Sequence, residues 1–295
     1  MPTAASALDS PTVPPSNLPQ SWKHINFRRV LLETAASLWR IYLLLILVAM
    51  LGQRRMMYPA PKSAIVPEAP GLKLLTIPGR DGRQIHAFYL PARSSAATVV
   101  MFHGNGEQIA DVMPLVQDLA DYGLGTLAIE YPGYGLSSAY TTTEENVYAD
   151  AEQAILHVQR VMGVPRERVI LFGQSLGAAV AAEMATRGLG ARLILLSPFT
   201  SMVEMASKIA PILPTRLLLN DRYDTLSKAS RLALPTLLIH GTSDTVVPVT
   251  MGQRLAEKIT PVTVLLVPGA DHNNLYDVGG NSLLQRIAHF ARGGA

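Results

Sequence analysis

The chain has 295 residues, no cysteine, a net charge of +3 and a hydrophobic content of 48%. This length leaves room for one large domain and a short extension, and the absence of cysteine excludes disulfides, thiol catalysis, cysteine-ligated metals and palmitoylation of the chain itself. Residues 1–55 contain six basic and two acidic side chains and carry +4, so the other 240 residues carry −1. A body without excess positive charge argues against a nucleic-acid-binding face and against nucleic acid as a partner.

The first 33 residues are predicted to form a disordered, basic tail. Residues 1–20 are rich in Pro, Ser, Thr and Ala and contain a single charged side chain. Such a composition cannot bury enough apolar surface to order itself.

Residues 34–52 contain one charged side chain, Arg40, and the stretch Ile41–Leu51 is continuously apolar. About 20 such residues span a bilayer, and an arginine near one end can reach the head groups. We therefore predict a single uncleaved membrane anchor over 34–52, with a buried or amphipathic helix as the alternative. A cleaved signal peptide fits less well, because the apolar run begins late and no A-x-A site follows it.

Four basic residues precede the apolar core of the anchor and three follow it: Lys23, Arg28, Arg29 and Arg40 on one side, and Arg54, Arg55 and Lys62 on the other. This small excess predicts a cytoplasmic N-terminus, so that the globular domain, residues 56–295, lies on the non-cytoplasmic side of the membrane.

The globular domain opens with two apolar segments, 72–77 and 83–90, that flank a Gly-Arg-Asp-Gly turn and predict a β-hairpin. Short apolar runs then alternate with helical patterns, which predicts a mostly parallel sheet with helices on both faces. Residues 198–232 contain three prolines and are expected to form a lid of short helices. The predicted strands are 98–102, 125–131, 168–172, 192–196, 235–240 and 262–267; the predicted helices are 107–121, 143–162 (with Thr142 and Glu145 as a capping box), a helix after Ser175, and 279–292.

The motif Gly173-Gln174-Ser175-Leu176-Gly177 lies between a predicted strand and a run of small residues suited to a tightly packed helix. Strand, G-x-S-x-G and helix in that order are typical of a nucleophile elbow. The elbow holds its serine in a strained conformation, and the glycines allow two backbone segments to approach closely. Ser175 is therefore the predicted nucleophile.

A serine hydroxyl needs a base to take its proton, and the base needs an orienting acid. In this arrangement the partners follow in the order Ser, acid, His. His272 lies in a polar loop after the last predicted strand and is the predicted base, whereas His289 lies inside the final helix. Asp244, in the loop after the penultimate strand, is the predicted acid. The competing acids are Asp221 and Asp224 in the lid, and Asp271, the sequence neighbour of His272.

Two backbone N–H groups, those of Asn105 and Leu176, are predicted to form the oxyanion hole. Because backbone atoms supply these bonds, side-chain substitution there is expected to have little effect. His103 is expected to buttress the loop rather than to react. His86, His157 and His240 are interpreted as structural, and no metal-ligand spacing, phosphate loop or dinucleotide fingerprint is present, so no cofactor and no metal are expected.

These motifs identify a resemblance to the α/β-hydrolase superfamily over residues 56–292. With the predicted anchor, the chain is similar to a narrower group of single-pass membrane α/β-hydrolase-domain serine hydrolases that includes protein depalmitoylases. Pro132 departs from that group, which commonly has arginine there, and this puts a transfer of substrate in doubt. The matching stretches are 103–106, 131–137, 173–177, 240–244 and 271–272, with 198–201 and 223–226 for the narrower group.

The sequence thus predicts a membrane-anchored serine hydrolase that cleaves carboxylic esters or thioesters through an acyl-enzyme. Its expected substrate is a small-molecule or lipid-like acyl ester; protein partners are unknown. A peptidase or amidase of the same fold and a non-catalytic, membrane-tethered binding protein are the alternatives.

Overall fold

The computed structural model describes residues 26–294, so most of the predicted tail lies outside the described residues. The first helix, α1, covers Phe27–Met57. It is longer at both ends than the predicted anchor, and residues 27–33 of the predicted tail are helical. An i,i+4 ion pair between Arg29 and Glu33 (2.8 Å) supports the first turns. At the other end, the helix stops just before Pro59, which cannot continue it.

The chain divides into two units, residues 1–48 and residues 49–295. In the first unit, the described residues form a single helix with exposed apolar side chains such as Leu44 and Leu47. By length and composition, α1 can cross a membrane.

The second unit is built on an eight-stranded sheet of order β1-β2-β4-β3-β5-β6-β7-β8. β1 and β2 form the predicted hairpin and β2 pairs with β4 in an antiparallel manner. The remaining pairs, from β4 to β8, are parallel. The predicted fold class is therefore confirmed. The strands are β1 Lys73–Pro78, β2 Gln84–Leu90, β3 Thr98–Phe102, β4 Gly125–Ile129, β5 Val169–Gln174, β6 Arg192–Leu196, β7 Thr236–Gly241 and β8 Val262–Val267.

Helices cover both faces of this sheet, because the central strands are apolar on both sides. In β3, for example, Val100 packs into one core cluster while its neighbours Val99 and Met101 pack into the other. The predicted lid contains three short helices, α5 to α7. The helices of this unit are α2 Met113–Asp121, α3 Glu144–Arg160, α4 Leu176–Thr186, α5 Met202–Ile209, α6 Thr215–Leu218, α7 Thr225–Lys228, α8 Val249–Ala256 and α9 Leu275–Ala291.

Some predicted helix boundaries are wrong. α2 begins at Met113 rather than 107, because the preceding residues form a turn in which the Gln108 N–H donates to Asp111 (3.0 Å). α3 is capped by Thr143, which accepts from the Asn146 N–H (3.0 Å). Thr142 instead donates to a carbonyl in the loop after β4 (2.6 Å). α9 begins at Leu275, earlier than predicted, and is broken at Gly280 by a positive φ of 51°.

Candidate active site

Ser175 lies between β5 and α4 and has φ 52° and ψ −110°. A positive φ is uncommon for a residue with a side chain and is strained, as the elbow interpretation requires. Both flanking glycines are needed. A Cβ on Gly173 would overlap the Gly177 carbonyl, and a Cβ on Gly177 would overlap the Phe102 carbonyl of β3. The sharp turn thus depends on both glycines of the motif.

Asp244 and His272 are joined by a hydrogen bond. The loop after β7 carries Asp244, the loop after β8 carries His272, and the two strands are parallel neighbours whose carboxyl ends meet at one edge. His272 Nδ1 lies 2.8 Å from Asp244 Oδ2. Since a carboxylate only accepts, Nδ1 carries the proton and Nε2 is left as the basic nitrogen.

The Asp244 carboxylate is buried and fully engaged. Its Oδ1 accepts from the backbone N–H groups of Val246 (3.0 Å) and Val247 (2.7 Å). Burial alone would raise its pKa, but hydrogen bonds from His240, His272 and the Val247 N–H outweigh that effect and hold the pKa well below its usual range. The group is therefore ionised at neutral pH.

His240 also faces this carboxylate, which the sequence interpretation as a structural histidine did not anticipate. Its fully buried ring places Nε2 3.3 Å from Asp244 Oδ2 and 2.9 Å from the Val247 carbonyl. Both neighbours are acceptors, so Nε2 carries the proton. One feature of the sequence pointed to this contact: His240 and Asp244 are four residues apart, with the end of β7 between them.

The competing acids have other roles in the structure. Asp271 Oδ1 accepts from the backbone N–H groups of Thr245 (2.7 Å) and His272 (2.7 Å). It therefore joins the two loops and does not orient the imidazole ring. Asp221 accepts from the Tyr58 hydroxyl (2.9 Å), and Asp224 caps α7. None of the three forms a hydrogen bond or an ion pair with the ring of His272.

Ser175 and His272 lie after strands of the same sheet edge, but no hydrogen bond joins the two side chains in the described chain. Such bonds are often long without substrate and shorten when the complex forms. The structure thus joins two of the three predicted side chains directly and presents the third at the elbow.

The predicted oxyanion loop follows β3 and is fixed by side chains. The Asn105 amide donates to the Met57 carbonyl (2.6 Å) and accepts from the Tyr134 hydroxyl (2.6 Å). Glu107 accepts from the Gly104 N–H (2.6 Å). Within residues 26–294, the backbone N–H groups of Asn105 and Leu176 have no hydrogen-bond partner. An oxyanion hole needs backbone donors that are free in this way, so the role of the two groups stays a prediction.

His103 is buried beneath this loop, as expected for a buttress. Its Nδ1 bonds to the Gly104 carbonyl (2.9 Å), and its ring lies 4.0 Å from that of Tyr131. The sequence analysis missed Glu130, which is 1% exposed and whose Oε1 lies 3.4 Å from His103 Nε2. The sequence feature that pointed to Glu130 was its position directly after β4, at the carboxyl end of the strand.

No group of three or more His, Asp or Glu side chains among the described residues is arranged to hold a metal ion. A cavity of about 530 Å³ is lined by charged and polar side chains, including Arg80, Glu144, Tyr148 and Arg187, and by none of the predicted site residues. This cavity is therefore separate from the candidate active site at the elbow.

Fold, elbow and the Asp–His pair together define a class, and comparison with known proteins agrees: the chain belongs to the α/β-hydrolase superfamily. Residues 93–219 match the family described as serine aminopeptidase, S33. The chain is 34% identical over 245 residues to an uncharacterized protein of Mycobacterium tuberculosis, covering 81% of this chain and 86% of the relative. It is 32% identical over 212 residues to human alpha/beta hydrolase domain-containing protein 17B, with 71% of each chain covered.

Among solved structures, an esterase of Pyrococcus furiosus superposes with a TM-score of 0.66 at 20% identity, covering 78% of this chain and 96% of the esterase. At that identity the likeness concerns the fold. The predicted superfamily is confirmed, and the chain is a hydrolase of the class that includes esterases and peptidases.

Proposed function

We propose that this protein is a membrane-anchored serine hydrolase that cleaves carboxylic esters or thioesters through an acyl-enzyme. The observation that carries the proposal is the 2.8 Å hydrogen bond from His272 Nδ1 to the buried Asp244 carboxylate, on the sheet edge that also presents Ser175. An ionised acid holding one tautomer of a histidine is the arrangement that activates a serine.

In the proposed mechanism, Ser175 Oγ attacks the acyl carbon while its proton passes to Nε2 of His272. The carbonyl oxygen becomes an oxyanion, which the N–H groups of Asn105 and Leu176 stabilise. The tetrahedral intermediate collapses, the bond to the alcohol or thiol breaks, and His272 returns the proton to the leaving group. Water then attacks the acyl-enzyme by the same route and releases the acid and free Ser175.

Asp244 does not exchange protons in this scheme. Its ionised carboxylate keeps Nδ1 of His272 protonated and stabilises the imidazolium formed during attack. The hydrogen bonds that lower the pKa of Asp244 favour that ionised form.

The membrane anchor is assigned to α1, because this helix is long and apolar enough to cross a bilayer. Four basic residues precede the apolar core Ile41–Leu51 and three follow it, and this small excess supports a hydrolase domain on the non-cytoplasmic side. Protease added to sealed vesicles of known orientation tests this proposal. The domain is expected to be digested only when the protease reaches the non-cytoplasmic side, and digestion from the cytoplasmic side alone would contradict it.

A lipid-like acyl group is the proposed substrate class, since an anchored enzyme meets its substrate at a bilayer. Hydrolysis of p-nitrophenyl esters of increasing chain length tests this part. The turnover is expected to persist or rise with longer acyl groups, and strict preference for acetyl would contradict it.

Peptide or amide hydrolysis is the second candidate, favoured by the match of residues 93–219 to a family described as a serine aminopeptidase. Competing an ester, a thioester and a peptidyl amide in one assay separates the two. Preferred cleavage of the amide would replace the ester assignment but leave the acyl-enzyme mechanism intact.

Labelling with a fluorophosphonate probe tests the proposal as a whole and separates it from a non-catalytic binding role. The wild type is expected to react and Ser175→Ala is expected not to. Ser138→Ala is the matched control, because Ser138 is an exposed serine in the loop after β4, and it should label like the wild type. A wild-type chain that is folded but unreactive would overturn the proposal.

A further inference from the structure

The corner between α5 and α6 exposes large apolar side chains. Ile209 is 81% exposed, Leu217 is 84% exposed and Ile212 between them is 68% exposed; these three residues are called the lid patch. A contact between the hydroxyls of Ser207 and Thr215 (2.5 Å) holds the two helices together. Clustered exposed apolar side chains of this kind mark an interaction surface.

The lid patch has a basic rim. Lys208, Arg216 and Arg222 are exposed, and none of them forms an ion pair within residues 26–294. Arg222 donates to the Arg216 carbonyl (3.2 Å), which keeps these two residues together. The nearby carboxylates have other main partners: Glu204 pairs with Arg254 (2.7 Å) and attracts Lys208 more weakly, and Asp221 is buried. Glu144 accepts from the backbone N–H of Arg222 (2.6 Å), which leaves the guanidinium of Arg222 without an ion pair among the described residues. Apolar side chains with unpaired basic neighbours are suited to an anionic lipid surface.

The lid is also attached to the last turns of α1. The Asn220 N–H, two residues after α6, donates to the side chain of Gln53 (3.2 Å). Gln53 follows the apolar stretch Ile41–Leu51 by two residues. If that stretch lies in the hydrocarbon, Gln53 lies at the level of the head groups, and so does the lid segment bonded to it.

The same end of α1 reaches the predicted oxyanion loop, because the Met57 carbonyl accepts from the Asn105 side chain (2.6 Å). Tyr58, the next residue, bonds to Asp221 of the lid (2.9 Å). The end of the helix is thus bonded to both the oxyanion loop and the lid.

We infer that the lid patch docks on the bilayer that holds α1, with Ile209 and Leu217 in the acyl-chain boundary and the basic rim at anionic head groups. The active site then opens at the membrane surface, where an acyl substrate can enter without crossing water. This inference rests on the proposed membrane span and is independent of the hydrolytic chemistry. Lipid is favoured over a soluble partner, because the hydrogen bond between Gln53 and Asn220 joins the lid to the residues that directly follow the apolar stretch of α1.

The test uses the full chain in vesicles of phosphatidylcholine with a minority of phosphatidylglycerol. Because the chain has no cysteine, Leu217→Cys gives a single site for an environment-sensitive fluorophore. Val161→Cys is the matched control: Val161 is 70% exposed and apolar, but it lies between α3 and β5, near the amino ends of the parallel strands and not at their carboxyl ends. Lipids with a quencher on the acyl chain report insertion, and iodide reports exposure to water.

The label at 217 is expected to be quenched by the acyl-chain quencher severalfold more than the label at 161, and to be protected from iodide. Equal quenching at both positions would overturn the inference. Protection from iodide without acyl-chain quenching would also overturn it, in favour of a protein contact or a second copy of the chain.

A charge variant tests the basic rim. Lys208→Gln with Arg216→Gln, combined with the label at 217, is expected to lower acyl-chain quenching and to remove its dependence on phosphatidylglycerol. Quenching that is unchanged and still dependent on phosphatidylglycerol would contradict the role of the rim.

Two further readouts separate this inference from the proposed function. If the chain reacts with the fluorophosphonate probe but the labels at 217 and 161 are quenched equally, the docking inference fails and the proposed function stands. Quenching at 217 in a folded chain that does not react means that the hydrolase proposal alone has failed, and docking stands. Release of the chain from vesicles by alkaline carbonate would overturn the span and the docking together.

Discussion

Nε2 of His240 lies 3.3 Å from Oδ2 of Asp244, the oxygen that also accepts the hydrogen bond from His272. Two histidines therefore lie against the same oxygen of the predicted acid. One of them is fully buried and points its proton at the carboxylate and at the Val247 carbonyl (2.9 Å). This contact gives His240 a positioning role that can be measured.

Replacing His240 with leucine removes a donor to a charged acceptor, a loss of ~1.5–3 kcal/mol. If the bond orients Asp244 during the reaction, kcat/KM falls about tenfold to a hundredfold in His240→Leu. His240→Gln keeps an N–H donor and is expected to retain more activity. Steady-state kinetics beside thermal unfolding check this. Loss of stability in both variants with unchanged kcat/KM would reduce His240 to a core residue.

The choice of acid is tested by comparing Asp244→Asn with Asp271→Asn. An amide at 244 presents a donor or a weaker acceptor to His272 and favours the wrong tautomer, so kcat is expected to drop by about 10³- to 10⁴-fold. Asp271 accepts from the backbone N–H groups of His272 and Thr245 and from the Thr245 hydroxyl, and it forms no hydrogen bond or ion pair with the imidazole. Asp271→Asn should therefore cost about tenfold or less in kcat. The reverse order of effects would make Asp271 the acid.

The depressed pKa of Asp244 predicts how stability depends on pH. A free aspartate titrates at about 3.9, and the folded pKa lies below that value. Asp244 therefore stabilises the fold above about pH 4, and its contribution is lost as pH falls through the folded pKa. The difference in unfolding free energy between wild type and Asp244→Asn is expected to be largest near neutral pH and to shrink below about pH 4.

Denaturant unfolding of both proteins across that range measures this difference. A gap that stays constant with pH would show that the carboxylate is not preferentially ionised in the folded chain.

Asn105 was expected to tolerate side-chain substitution, because its backbone supplies the predicted oxyanion bond. The structure gives its side chain two further hydrogen bonds, to Met57 and Tyr134. Asn105→Ala is therefore expected to displace the loop and lower kcat about tenfold, less than the ~100- to 1000-fold of a lost oxyanion donor. Tyr134→Phe removes one of the two bonds and should have a smaller effect. Wild-type kcat in Asn105→Ala would restore the original expectation.

The sequence predicted the sheet well because parallel strands buried on both faces are continuous apolar runs. Strands β3 and β6 are such runs, and they begin and end where predicted. The edge strand β8 also matches its predicted bounds, although Val264 and Leu266 are exposed. Helix starts were less predictable, since they depend on which polar side chain is free to cap. Thr142 and Thr143 are equivalent in sequence, but Thr142 is occupied by the Pro132 carbonyl, which leaves Thr143 as the cap of α3.

At the candidate site, sequence order and position after strands were enough to nominate Ser175, Asp244 and His272. The supporting contacts could not be predicted, because they join segments far apart in the chain. The bond from Asn105 to Met57 spans 48 residues, and the burial of Glu130 beneath His103 depends on how the β3 and β4 loops pack.

The most direct test of the account is the covalent intermediate itself. The intact chain is mixed with a p-nitrophenyl ester, quenched early and examined by mass spectrometry, with peptide mapping of the adduct. We predict a burst of p-nitrophenol and one acyl group on the peptide containing Ser175, both absent in Ser175→Ala. Turnover without any acyl adduct, or an adduct that persists in Ser175→Ala, would contradict the assignment of Ser175 as the nucleophile.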